Sequence, residues 1–253
     1  MNESTYLDLR NKTVIKANEL IQKSRFNLSL QQQKMVLYLI SQITPSDEDF
    51  KLYEFSIPEF CRVCGIDMTS GKNYQDLKQA IKEIADKSLW INIDEDEETL
   101  LRWIEKPYIN RKSGVIKIRL DEDMKPYLLQ LKQNFTQYEL IYTLHFRSKY
   151  TIRFYELLKS IHFRELETYI RRYSIDELRR ILGAEIYTQY RDFKRRVLEP
   201  SVKEVNDYSD KTVSSEEIKN GRRVTGIQFT LSTKGVKERL LTRSKIDKEL
   251  GTD

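Results

Sequence analysis

The sequence has 253 residues, enough for one large domain or two of ordinary size, and its 39% hydrophobic and 33% charged residues suit real cores beneath a heavily solvated surface. No apolar run approaches bilayer length and residues 1–12 lack the apolar stretch of a secretory leader, so a soluble, cytoplasmic protein without membrane contact is expected. The net charge of +5 is unevenly spread: residues 1–133 hold 20 Lys/Arg against 21 Asp/Glu, whereas residues 134–253 hold 24 against 18, so the second half is the one suited to a polyanion.

Residues 11–27 carry a weak apolar stripe that predicts an N-terminal helix or arm. A strong helical period through Met35, Val36, Leu39, Ile40 and Ile43 predicts a helix over 28–43. Phe55 to Gly65 reads as a second helix, with Ser56 as N-cap, Pro58 in the first turn and Gly65 at the stop. A third spans about 74–87, with Leu77, Ile81 and Ile84 on one face. Alternating segments at 89–93, 99–104 and 115–120 predict three strands of one small sheet, the first two joined by the acidic turn 94–98. Helices followed by a β-hairpin wing is the order of a winged helix. Another helix is expected at 124–133.

The pattern then repeats. Tyr150 to Phe163 predicts a helix with Phe154, Leu157, Leu158 and Ile161 inward. Ser174 and Glu177 form a capping box ahead of Ile175, Leu178, Ile181 and Leu182, and Gly183 permits a left-handed exit. A longer, cation-rich helix is expected at about 187–206, anchored by Phe193 and Val197. Two helices joined by a short turn, the second basic at its start, is the layout of a DNA-reading helix-turn-helix. Asn220-Gly221 signals a hairpin leading into a strand at 225–231, and residues 232–253 read as a short helix and a frayed polar tail.

The halves can be laid on each other. SIPEFCRVCGID (56–67) matches SIDELRRILGAE (174–185) with Ser, Ile, Glu, Arg and Gly identical, and YQDLK (74–78) matches YRDFK (190–194). Val36, Leu39, Ile40 and Ile43 fall on Phe154, Leu157, Leu158 and Ile161 at the same offset as the first block. Order and spacing kept through three elements predict an α+β fold, a tandem duplication of a winged-helix domain. The expected division is residues 1–133, residues 134–240, and a flexible tail at 241–253.

On VIKANELIQKSRFNLSLQQQKMVLYLISQI, the SIPEF block and LHFRSKYTIRFYELLK, the chain resembles the replication initiators of iteron-containing, theta-replicating plasmids. The resemblance covers roughly residues 12–235. It implies binding to direct repeats at a plasmid origin, recruitment of host replication proteins such as an initiator and a helicase, homodimerisation through the first domain, and self-repression at an operator inverted repeat.

On physical grounds the second half is the better reader of double-stranded DNA. A recognition helix enters the major groove by its N-terminal part, which places Tyr187, Thr188, Gln189 and Arg191 nearest base edges, followed by Lys194 and Arg195. Arg147, Ser148, Lys149 and Tyr150 open the preceding helix and suit phosphate. Lys219, Arg222 and Arg223 flank the Asn-Gly turn as a basic wing tip. The first half offers a weaker set in Lys72, Asn73, Gln75, Lys78, Gln79 and Lys82, and its expected wing tip, the acidic turn 94–98, would repel phosphate.

Catalysis is not expected. The chain has no G-x-x-x-x-G-K-[ST] loop for ATP. A nickase would want paired histidines beside a tyrosine, but His145 and His162 are the only two and lie far apart. Cys61 and Cys64 have C-x-x-C spacing without further zinc ligands, so they read as small, partly buried side chains, and no metal or cofactor is expected. A double winged-helix transcriptional repressor would make the same DNA contacts and is the competing reading.

Overall fold

The computed structural model describes residues 9–63, 73–110, 112–161 and 168–249. The chain forms two compact units, residues 1–144 and 145–253. This division falls later than the expected 133/134 boundary because the strand at 135–139 belongs to the first unit, where it pairs with the strand at 13–17.

The first unit opens with β1 (Thr13–Ala17), a short helix α1 (Asn18–Gln22) and β2 (Ser24–Arg25), not the helix or arm expected over 11–27. The β1 register with the distant 135–139 segment takes up its backbone groups. Helix α2 (Leu30–Ile40) follows, closed at its start by a full capping box between Ser29 and Gln32. Next come β3 (Tyr53–Ser56), α3 (Ile57–Val63) and α4 (Asn73–Asp86). Ser56 caps α3 by accepting from the Glu59 N–H at 3.2 Å. Gly65, the expected stop, lies outside the described residues. Met35, Val36, Leu39 and Ile40 from α2 are buried, as are Phe60 from α3 and Leu77, Ile81 and Ile84 from α4.

Strands β4 (Ser88–Asn92), β5 (Glu98–Arg102), β6 (Tyr108–Asn110) and β7 (Val115–Ile118) complete the unit's middle. They do not form the one sheet the alternation suggested. β4 and β5 join β2 in one three-stranded sheet, whereas β7 lies between β3 and β6 in another. Within 124–133 the chain is helical only to Leu128, through the last residue of a 3-10 turn (Glu122–Met124) and the short helix α5 (Lys125–Leu128). β8 (Phe135–Glu139) and α6 (Ile141–Leu144) end the unit.

In the second unit, α7 (Lys149–Ser160) is capped by Ser148 and contributes Phe154, Leu157 and Leu158 to the core. Strand β9 (Thr168–Ser174) leads into α8 (Ile175–Leu182). A long helical run follows as α9 (Tyr190–Phe193), a π-helical turn (Lys194–Leu198) and α10 (Glu199–Tyr208). Pro200 explains the π turn, since it has no N–H and its ring collides with the carbonyl four residues earlier. β10 (Lys211–Asn220) and β11 (Arg223–Thr233) form a long hairpin, and β11 pairs on its other edge with β9.

The expected polar tail is instead the end of α11 (Val236–Glu249). Ile246 is fully buried, and the Glu249 carboxylate lies 2.7 Å from His145 Nε2 and accepts from the Tyr208 hydroxyl at 3.3 Å.

The duplication seen in sequence is a duplication of structure. The matched pairs Ile57/Ile175, Phe60/Leu178, Val63/Ile181 and Leu77/Phe193 are all buried. The sheet orders correspond too, β3-β7-β6 in the first unit and β9-β11-β10 in the second. By that correspondence the first unit's wing is β6–β7, and the acidic hairpin β4–β5 is an additional element. The wing turns match as well: Gly114 and Gly221 both take a left-handed backbone, at φ 64 and 60.

Candidate nucleic-acid interface

The second unit's site is built outward from α8. Ser174 Oγ accepts from the Glu177 N–H at 3.1 Å, fixing the helix start at the end of β9. Four apolar residues, Ile175, Leu178, Ile181 and Leu182, are buried on one face. Gly183 ends the helix at φ 65, with the Ala184 N–H reaching the Arg179 carbonyl and the Gly183 N–H the Arg180 carbonyl, the paired bonds of a Schellman motif. The buried Arg153 completes the end by donating through Nε to the Ile181 carbonyl at 3.1 Å. Burial depresses its pKa to about 10, and the charge still suits a helix C-terminus. In the first unit Arg10, also buried, donates through Nε to the Val63 carbonyl at 3.3 Å. Val63 and Ile181 are matched positions of the duplication, so in both units a buried arginine donates to the same carbonyl position of the first helix.

The turn that follows is fixed by Arg179. Its guanidinium donates to the Thr188 carbonyl at 2.8 Å, pairs with Asp176 at 3.1 Å and lies over the Phe193 ring at 5.6 Å. With that carbonyl committed, the helix starts at Tyr190 and not near 187. Tyr187, Thr188 and Gln189 therefore belong to the turn, with Gln189 in the N-cap position. Phe193 and Val197 are fully buried, the anchors expected. Arg191 and Arg195 are exposed, Arg195 3.4 Å from Asp192.

The wing reaches the same place. Tyr190, Thr188 and Gln189 line a cleft of about 670 Å³ together with Arg179, Arg222 and Arg223. Lys194 and Lys219 meet at Glu217: Lys194 Nζ and the Tyr190 hydroxyl each donate to Glu217 Oε1 at 2.8 Å, and Lys219 lies 3.2 Å from Oε2. These three donors hold the Glu217 carboxyl down at about 2, and the same carboxylate raises the Lys194 pKa.

At the start of α7, Ser148 Oγ is committed to the Tyr150 N–H at 3.2 Å. Tyr150 is buried, its ring 6.0 Å from that of Tyr187, and burial pushes its hydroxyl up to about 12. It packs the turn and does not face outward. Lys149 lies over the Tyr150 ring at 5.1 Å, and Arg147 is well exposed, 3.6 Å from Glu249. The sequence-based set thus divides. Thr188, Gln189, Arg222 and Arg223 share one cleft, Lys194 and Lys219 share one carboxylate, and Arg147 to Tyr150 adjoin through the Tyr150–Tyr187 contact. Arg179 and Glu217, which organise the first two groups, carry no motif by which sequence could single them out.

In the first unit, Gln75, Lys78, Gln79 and Lys82 are exposed on α4, with Lys82 2.5 Å from Asp86 and Gln79 donating to Glu83 at 3.1 Å. Lys72 and the Asn73 side chain lie outside the described residues. The acidic turn closes β4–β5, where Asp94 Oδ1 accepts from the N–H groups of Asp96 and Glu97. The topological wing tip carries Lys112, whose N–H donates to Asn110 Oδ1 at 3.0 Å. The wing of this unit is therefore not acidic, contrary to the expectation from sequence.

Cys61 is buried, which raises its thiol to about 11, an inert side chain; Cys64 and His162 lie outside the described residues. No helix among the described residues is long and apolar enough to cross a membrane.

Fold and interface together define a class: a tandem double winged-helix protein whose second unit gathers a helix-turn-helix and a basic wing around one cleft. Residues 13–159 match the family described as Initiator Replication protein, WH1, and residues 174–231 match Initiator Rep protein, WH2. The chain belongs to this family of replication initiators. A solved structure, that of the Pi initiator protein in complex with iteron DNA, is similar over 89% of this chain and 98% of that one, with a TM-score of 0.69 and 19% sequence identity. That likeness is one of fold.

Proposed function

We propose that this protein initiates plasmid replication by sequence-specific binding of its second winged helix to direct repeats in the origin. One observation carries the reading: turn residues Thr188 and Gln189 and wing residues Arg222 and Arg223 line a single cleft with Tyr190, which the exposed Arg191 follows in the helix. Arg191 reads a base, since an arginine can pair bidentately with guanine. Arg222, Arg223 and Arg147 hold phosphates, which position the protein without carrying sequence information. The first winged helix adds a weaker contact through α4 and the Lys112 turn. Competition against point-mutated sites tests these roles. Arg191→Ala should relax specificity at one base pair at a cost of about 1–3 kcal/mol, whereas Arg222→Ala should weaken all sequences alike and lower the salt slope by about one phosphate. Equal losses on every sequence for both variants would refute the assignment.

Homodimerisation belongs to the first unit in this proposal. Trp90 and Leu100 face each other across β4 and β5, 46% and 50% exposed, and β5 is an edge strand of its sheet. Such a patch beside an open edge suits a two-fold contact. A dimer presents two second units to an operator inverted repeat and represses its own gene, whereas a monomer occupies an origin repeat with both of its winged helices. Sedimentation of the full chain on each DNA should give one chain per direct repeat and two per inverted repeat; equal stoichiometry would sink this division. Recruitment of a host initiator and helicase, acting in the cytoplasm on the plasmid, completes the reading, since the chain itself has no ATP-binding loop.

A further inference from the structure

Glu217 is an acid where the strand pattern leads toward the core. It shares its face of β10 with the buried Val213, and its partner across the hairpin is the buried Ile227. A carboxylate on a phosphate-facing surface opposes binding through like-charge repulsion. Yet this one is fully engaged: Tyr190 and Lys194 donate to Oε1 from the first two turns of the long helix, and Lys219 approaches Oε2 from the wing. Glu199 adds a second, more distant acid, 3.9 Å from Lys194. The carboxylate therefore ties the start of the recognition helix to the wing and occupies two of the cations that sequence alone assigns to DNA.

We propose that Glu217 is a specificity-determining positioning residue: it sets the helix start against the wing and withholds Lys194 and Lys219 from indiscriminate phosphate contact. The inference rests on the reading of this surface as the DNA-binding one. A surface with every cation free would bind any duplex tightly, because phosphate contacts are sequence-independent. Engaging two of them with one carboxylate, which cancels one unit of their charge, lowers binding to all sequences, while fixing the geometry retains the contacts made to bases. The ratio between specific and non-specific binding rises.

The test uses the full chain, a duplex it selects from a random-sequence pool, and a shuffled duplex of the same composition. Glu217→Gln should bind the shuffled duplex several-fold more tightly, and its log K against log salt should steepen by about one to two units as the freed lysines reach phosphates. Discrimination between the two duplexes should fall roughly tenfold. Tyr190→Phe removes a hydrogen bond but no charge, so it should lower discrimination with the salt slope unchanged. A Glu217→Gln protein that loses affinity for both duplexes alike, or keeps wild-type discrimination and slope, would overturn the proposal while leaving the DNA reading intact. Failure of the wild type to select any duplex would instead reject the DNA reading, and this inference with it.

Discussion

Lys211 shows how much the second unit asks of single residues. It is 3% exposed at the base of the wing, with its ammonium 2.6 Å from Thr233 Oγ1. Burial first, and then the charges of Lys159 and Arg239, lower its pKa from 10.5 to about 8 against the opposing pull of Asp210. Asp210 is itself buried, but Lys159 and the Tyr155 hydroxyl hold its carboxyl below the usual range. Below pH 8 Lys211 is protonated in both folded and unfolded chains and contributes no slope. Between pH 8 and 10.5 the unfolded chain binds more protons, so folding becomes more favourable as pH rises. Stability should therefore gain on the order of 1–3 kcal/mol from this group across that window. Denaturant titrations of the wild type and Lys211→Met at several pH values measure it, and parallel pH profiles would contradict the assignment.

At the scale of elements, the long periodic helices and the alternating strands β4, β5 and β7 are legible in the sequence, whereas β1, β3, β6 and β8 are not. α2, α4, α7 and α8 appear where their apolar spacing places them, because each repeats apolar residues at helical intervals, with α4 and α8 burying one face and α2 and α7 buried on nearly every side. β1, β3, β6 and β8 have three to five residues each, much the same length as β4, β5 and β7, but they lack an apolar alternation bounded by turn signals. Their pairing is also distant in sequence, as with β1 against β8. The first wing was misplaced for a related reason: β4 and β5 alternate strongly, but β7 pairs with β3 and not with them. Apolar spacing alone starts the long basic helix too early, because nothing local reveals that Arg179 holds the Thr188 carbonyl. The cations of the site could be read from sequence, since charge is composition. Glu217 could not, because its importance lies in three donors brought from separate positions. Gly226 was equally silent: β9 crosses so closely that a Cβ there would meet the Tyr173 carbonyl oxygen at 2.6 Å, which ties the wing stem to the strand leading into Ser174.

At the scale of the molecule, duplication gave two similar frames that diverged in charge. Both have an N-capped first helix, a buried arginine donating to the matched carbonyl of that helix, although from unmatched positions in the sequence, and a glycine-turned wing. The second frame brings Arg179, Arg222 and Arg223 around one cleft, whereas the first carries an added acidic hairpin and an exposed apolar strand face. Under the proposed function this asymmetry becomes a division of labour, with the second unit reading sequence and the first adding weaker contacts and pairing between copies. The most direct test is duplex binding by the full chain, by residues 1–144 and by residues 145–253, titrated across salt. If six to ten phosphates are engaged, affinity of the full chain should fall about 10³–10⁵-fold between roughly 50 and 200 mM salt, with sequence discrimination retained by residues 145–253. A first unit that binds as tightly and as selectively as the second would contradict the account.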